Sequence, residues 1–88
     1  MNSNIIYTSN SICSYYGINK DVLSDMVLWG IASPSGCSPD TWFFNQSDYD
    51  KIGRAYRFHR DLEINIPGAA MILELLSELD KVRIEIHQ

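Results

Sequence analysis

Few side chains in this sequence carry reactive chemistry, and they are scattered. Its histidines are His59 and His87 and its cysteines Cys13 and Cys37. Catalysis by a side-chain nucleophile needs a base within hydrogen-bond reach and a third group to orient that base. His59 falls in the middle of a helical stretch, where a packing or surface role is expected, and His87 falls in a tail that frays. The acid pairs Asp48 with Asp50 and Asp61 with Glu63 lie two residues apart, so they point to different faces of a helix and read as solvated surface. No HExxH, GxSxG, P-loop or GxGxxG pattern occurs, and Gly36 reads as a turn residue. The cysteines have no CxxC spacing and read as free thiols. A binding module without catalysis, cofactor or metal is expected. Binding chemistry is present in two places. Lys51, Arg54, Arg57 and Arg60 recur every third residue, which sets them on adjoining turns where they could meet phosphates. Asp21 and Asp25, four apart, share a helix face.

At 88 residues the chain reads as one domain, 1–88, with one core. Apolar residues make up 45% and charged residues 20%, the composition of a chain that folds. A net charge of −4 opposes nucleic-acid binding unless the bases gather on one face. The amino end lacks a basic stretch followed by an apolar run, and the longest apolar run, Ala69 to Leu73, is far short of the roughly 20 residues of a membrane crossing. A cytoplasmic location is expected.

The elements that must position the charges follow from capping and periodicity. Asn4 to Thr8 is β-rich, and Thr8 or Ser9 can cap a helix through Ile12, Cys13, Tyr15 and Tyr16 that Gly17 ends. Asn19 can cap a second helix carrying Val22, Leu23, Met26 and Val27, with Gly30 just past its end. Together they make a helix-turn-helix candidate. Ser33, Pro34, Ser35, Gly36, Ser38 and Pro39, flanked by Ile31-Ala32 and Thr41-Trp42-Phe43-Phe44, predict a β-hairpin with a long tip, a wing. Ser47 can cap a third helix from Asp48 to about Glu63. Pro67 opens a fourth, 67–86, which carries two apolar stripes. Ala69, Leu73 and Leu76 can serve the domain's own core, whereas Ile72, Leu75, Leu79, Val82 and Ile86 alternate by fours and threes like a coiled-coil seam, a candidate dimer interface. Trp29 and Trp42 are expected in the core more than in an interface.

The order helix-turn-helix, wing, third helix, long final helix resembles the MerR-type winged-helix fold: mainly α, with a short two-stranded wing. Thr41-Trp42-Phe43-Phe44, and Asp61-Leu62-Glu63-Ile64-Asn65-Ile66-Pro67-Gly68-Ala69-Ala70 leading into a Leu-rich helix, are similar to the chaperone-modulator family CbpM. That resemblance implies binding to the J-domain of a CbpA-type, DnaJ-like co-chaperone and inhibition of its work with Hsp70. It also implies dimerisation through the last helix. J-domains present a basic helix, which an acidic face complements, so Asp21 and Asp25 are the candidate contacts. The rival is a MerR-like DNA-binding regulator, with Lys51, Arg54, Arg57 and Arg60 as nucleic-acid contacts. Through Ser47, however, the only base is Lys20, set against Asp21, Asp25 and Asp40, and DNA binding is expected to be weak or absent.

Overall fold

A computed structural model describes residues 5–86, with side chains through residue 82. The order is β1 (Tyr7–Thr8), α1 (Ser9–Tyr16), α2 (Lys20–Leu28), a 3-10 turn (Pro39–Thr41), β2 (Phe43–Phe44), α3 (Gln46–Leu62) and α4 (Ile66–Ile86). The expected architecture, four helices with a small antiparallel sheet, is the one observed.

Each boundary has a local cause. Thr8 and Ser11 form a reciprocal cap on α1: the Ser11 N–H donates to Thr8 Oγ1 at 3.1 Å, and the Thr8 N–H donates to Ser11 Oγ at 3.1 Å. Gly17, left-handed at φ 73°, stops α1, and Asn19 Oδ1 accepts from the Val22 N–H at 3.0 Å to start α2. At the end of α2, Gly30 (φ 81°) and Ile31 close a Schellman motif, with the Ile31 N–H on the Met26 carbonyl at 2.9 Å and the Gly30 N–H on the Val27 carbonyl at 3.1 Å. That closure delivers Ile31 into the core, where it and Ala32 are buried.

The wing therefore differs from the expected hairpin. Ile31-Ala32 is not its outgoing strand. The chain returns through a single bridge, Ser35 opposite Phe43, and β2 takes β1 as its strand partner, with Tyr7 opposite Phe44 and Thr8 opposite Phe43. Burial of Ile31 outweighs the strand propensity of the segment. α3 also starts earlier than expected: Asn45, not Ser47, is the cap, its Oδ1 accepting from the Asp48 N–H at 2.8 Å. Asp48, expected at the surface, is buried on the first turn, where the helix N-terminus favours a carboxylate.

The core joins Ile12, Leu23, Met26, Ile31, Phe44, Ile52, Ala55, Ile66 and Ala69, so every helix contributes. Phe44 places the sheet on that core, and Trp42 meets it edge-on at 6.1 Å. His59 holds the turn between α3 and α4, its Nδ1 hydrogen-bonded to the Ile64 carbonyl at 2.9 Å, a structural task that explains its position. His87 lies outside the described residues.

Candidate functional site

α2 is the second helix of the helix-turn-helix. Leu23 and Met26 are fully buried, which leaves Asp21 and Asp25 on the outward side, both exposed, with Leu28 beyond them. Leu28 is 75% exposed and the neighbouring Trp29 52% exposed. Trp29 was expected in the core. Its place as the C-cap of α2, after the last core-facing turn, puts it at the surface instead. The outward face of α2 is thus acidic along its length and apolar at its end.

Lys20, the one base of the helix-turn-helix and wing, is engaged within the fold. Its Nζ meets Asp40 Oδ1 at 2.6 Å, linking the first turn of α2 to the 3-10 turn of the wing. Both side chains remain substantially exposed, so the pair contributes little to stability, about 1 kcal/mol or less. Its effect is on the electrostatics of the face: it removes the only cation available there, while Asp21 and Asp25 have no ion-pair partner among the described residues.

The bases of α3 are all exposed. Arg60 is committed to Asp61, with Nε to Oδ1 at 2.8 Å and Nη2 to Oδ2 at 3.3 Å, and its guanidinium lies 5.5 Å from the centre of the Tyr56 ring. The pairing holds the Asp61 carboxyl below its ordinary value. Lys51, Arg54 and Arg57 have no such partner among the described residues. Nothing in the spacing of the four bases distinguishes Arg60 from the others, because its partner is simply the next residue.

Beside these bases lies a cluster that spacing alone did not reveal. Tyr7 stacks on Tyr49 with ring centres 4.0 Å apart, and Tyr15 and Tyr16 surround Tyr49 at 5.7 and 5.3 Å. The Tyr16 hydroxyl donates to the Tyr49 carbonyl at 3.2 Å. Desolvation raises the Tyr49 phenol, and the adjacent Tyr15 and Tyr16 hydroxyls raise it further. Tyr16 can lie against α3 only because residue 53 is glycine: a Cβ there would overlap the Tyr16 hydroxyl. The available signal was a lone glycine inside a helical pattern, which costs about 1 kcal/mol relative to alanine and so calls for a packing reason.

On α4 the two stripes separate as expected at their centres and differ at one edge. Ala69 is fully buried, and Leu73 and Leu76 are half-buried. The opposite side exposes Met71 at 64%, Leu75 at 61%, Leu79 at 48% and Val82 at 48%. Ile72, expected in the seam by its spacing, is half-buried at the margin between the stripes, whereas Met71 beside it is exposed. The side chain of Ile86 lies outside the described residues.

Among the described residues no three metal-ligating side chains gather, and no helix is long and apolar enough to cross a membrane. The family described as "MerR HTH family regulatory protein" matches residues 7–88. Curated relatives include a "Chaperone modulatory protein CbpM" of Pseudomonas entomophila strain L48, 33% identical over 75 residues that make up 85% of this chain and 74% of the relative. One of Pseudomonas putida strain W619 is 35% identical over the same shares. One of Citrobacter koseri is 29% identical over 85 residues, 97% of this chain and 84% of the relative. These proteins are named for modulating a chaperone, a regulatory role. The MerR-type helix-turn-helix match and the identity and coverage of these relatives make the chain a member of the CbpM family of chaperone modulatory proteins.

Proposed function

We propose that this chain modulates a chaperone by binding the J-domain of a CbpA-type, DnaJ-like co-chaperone through the outward face of α2, lowering the work of that co-chaperone with Hsp70. The observation that carries this reading is the Lys20 to Asp40 pair, which leaves Asp21 and Asp25 as the unbalanced charges of the helix-turn-helix. A face of that sign draws in a basic helix and fixes its orientation, and it repels phosphate. Leu28 and Trp29, exposed at the end of the same helix, supply the apolar anchor that charge alone lacks. Two chains associate through the exposed Met71, Leu75, Leu79 and Val82, with Ile72 at the edge of the contact, and the pair acts in the cytoplasm without catalysing a reaction.

Calorimetry with the J-domain encoded in the same genome tests the reading. Saturable binding is expected with one site per chain, and the double variant Asp21→Lys, Asp25→Lys should bind about tenfold or more weakly at low salt. Unchanged affinity in the double variant would move the contact off α2. The absence of heat and of any chemical-shift change at about 100 μM of each protein would remove the J-domain as partner. The rival reading, a regulator of MerR type that reads duplex DNA, draws on Lys51, Arg54 and Arg57, which have no ion-pair partner among the described residues. A sequence-selective gel shift at nanomolar protein and near-physiological salt would establish it in place of the first.

A further inference from the structure

The tyrosine cluster between α1 and α3 opens into a groove that the acidic face of α2 does not share. Tyr15, Tyr16, Tyr49, Tyr56, Arg57 and Arg60 line it around Gly53, and it encloses about 350 Å³. That lies at the low end of ligand sites, about 300–1,000 Å³, and suits one or two side chains more than a large organic molecule. Tyr15 is 72% exposed, so a large amphipathic ring already faces solvent there. The Tyr56 ring is covered by Arg60, and that guanidinium is neutralised by Asp61. Arg57 is therefore the cation of the groove whose planar fork has no ion-pair partner among the described residues, the geometry that grips a carboxylate through two parallel hydrogen bonds. Burial raises the Tyr16 and Tyr49 phenols, and the Tyr16 proton is already given to the Tyr49 carbonyl, so Arg57 is the groove's principal donor.

We propose that this groove is a second recognition site, for a short acidic peptide segment, in which an apolar side chain enters among the tyrosines and a neighbouring carboxylate closes on Arg57. Charge selects the occupant. A basic segment would meet Arg57 and Arg60, and a purely apolar one would leave the Arg57 fork unpaired. Single-stranded nucleic acid shares the taste for aromatic rings and arginine, but its repeating phosphates would approach Asp50 and Asp61 on the same helix in a protein of net charge −4. One carboxylate beside one apolar side chain meets Arg57, the groove guanidinium without an ion-pair partner among the described residues, without that repulsion.

The test is a heteronuclear NMR titration of the whole chain with the blocked tripeptide Leu-Glu-Leu, which carries one carboxylate, its Leu-Gln-Leu counterpart and hexathymidylate. Saturable shifts are expected at Tyr15, Tyr56 and Arg57 with the Glu peptide alone, weakened by high salt and reduced about tenfold or more in Arg57→Glu, the loss of a charge-assisted hydrogen bond. Arg57→Gln removes the charge while keeping the aliphatic stem to Cδ and guards against a folding defect in the charge reversal; it should reduce affinity in the same direction. Equal shifts with the Gln peptide, no saturable shift up to about 1 mM Glu peptide, an unaltered affinity in Arg57→Gln, or tighter binding of hexathymidylate would each overturn the proposal.

Discussion

Replacing Gly53 by alanine sets two opposed effects against each other, and the structure decides the sign. In an exposed helix the change would stabilise by about 1 kcal/mol, because alanine is the better helix former. Gly53 is buried, however, and a Cβ on it would overlap the Tyr16 hydroxyl, with the ring carbons Cζ and Cε1 at 2.7 and 3.0 Å. The crowding atoms are the end of a side chain that is itself held among Tyr15 and Tyr49, so the ring has to move as a whole. Overpacking of this kind costs roughly 1–3 kcal/mol. Displacing the ring also breaks the hydrogen bond from Tyr16 to the Tyr49 carbonyl, worth about 0.5–1.5 kcal/mol. Less the propensity gain, the net loss is about 0.5–3.5 kcal/mol, centred near 2, and Tm should fall by roughly 10 °C in a domain of this size. Thermal unfolding followed by circular dichroism reads this directly. The decisive arm is the same substitution in a Tyr16→Ala background, where the three atoms nearest the new methyl group are gone and alanine should stabilise by about 1 kcal/mol. A rise in Tm for Gly53→Ala in the wild-type background, or an equal loss in both backgrounds, would refute the packing argument.

Leu79→Glu, which places a charge in the middle of the exposed stripe of α4, should convert a two-chain species to one chain in light scattering while the helical signal is kept, since Leu79 is 48% exposed and outside the core; a wild type that is a single chain at high concentration shows that the stripe is not a seam. Arg60→Ala should let the Asp61 carboxyl rise toward its ordinary 3.8 in a carbon-detected NMR titration. Because the folded value is depressed, the contribution of that pair to stability is present above 3.8 and is lost as pH falls through the folded value, so wild type and variant should converge in acid, and a constant gap down to the lowest pH would exclude the pairing as its cause. Burial pushes the Cys13 thiol above its ordinary 9.0 whereas Cys37 is exposed on the wing, so a thiol reagent near neutral pH should label Cys37 well before Cys13, and equal rates would contradict the burial.

The helices were legible in the residues because their start and stop signals are local. Thr8 and Asn19 cap helices and Gly17 and Gly30 end them through hydrogen bonds that span three to five residues, so type and spacing suffice. The two sides of α4 were legible for the same reason, since a period of 3.6 residues separates Ala69 and Leu73 from Leu75 and Leu79 in any environment. Likewise the shortage of bases before Ser47 is a count, and the acidic reading of α2 needed no coordinates.

The tertiary structure decided what depends on a partner far along the chain. β2 pairs with β1 across more than thirty residues and not with Ile31-Ala32, because the Schellman closure after α2 sends Ile31 inward. Lys20 loses its availability to Asp40, twenty residues away, and the exposed Trp29 and the buried Asp48 follow from where α2 ends and α3 begins. The tyrosine groove is the clearest case. Tyr7, Tyr16, Tyr49 and Gly53 have no spacing in common, and only the packing of α1 against α3, which leaves no room for a side chain at 53, brings Arg57 to the edge of a ring cluster. Caps and periodicity act within a few residues and are written in order. A surface assembled from three elements depends on long-range contacts, and no local pattern encodes them.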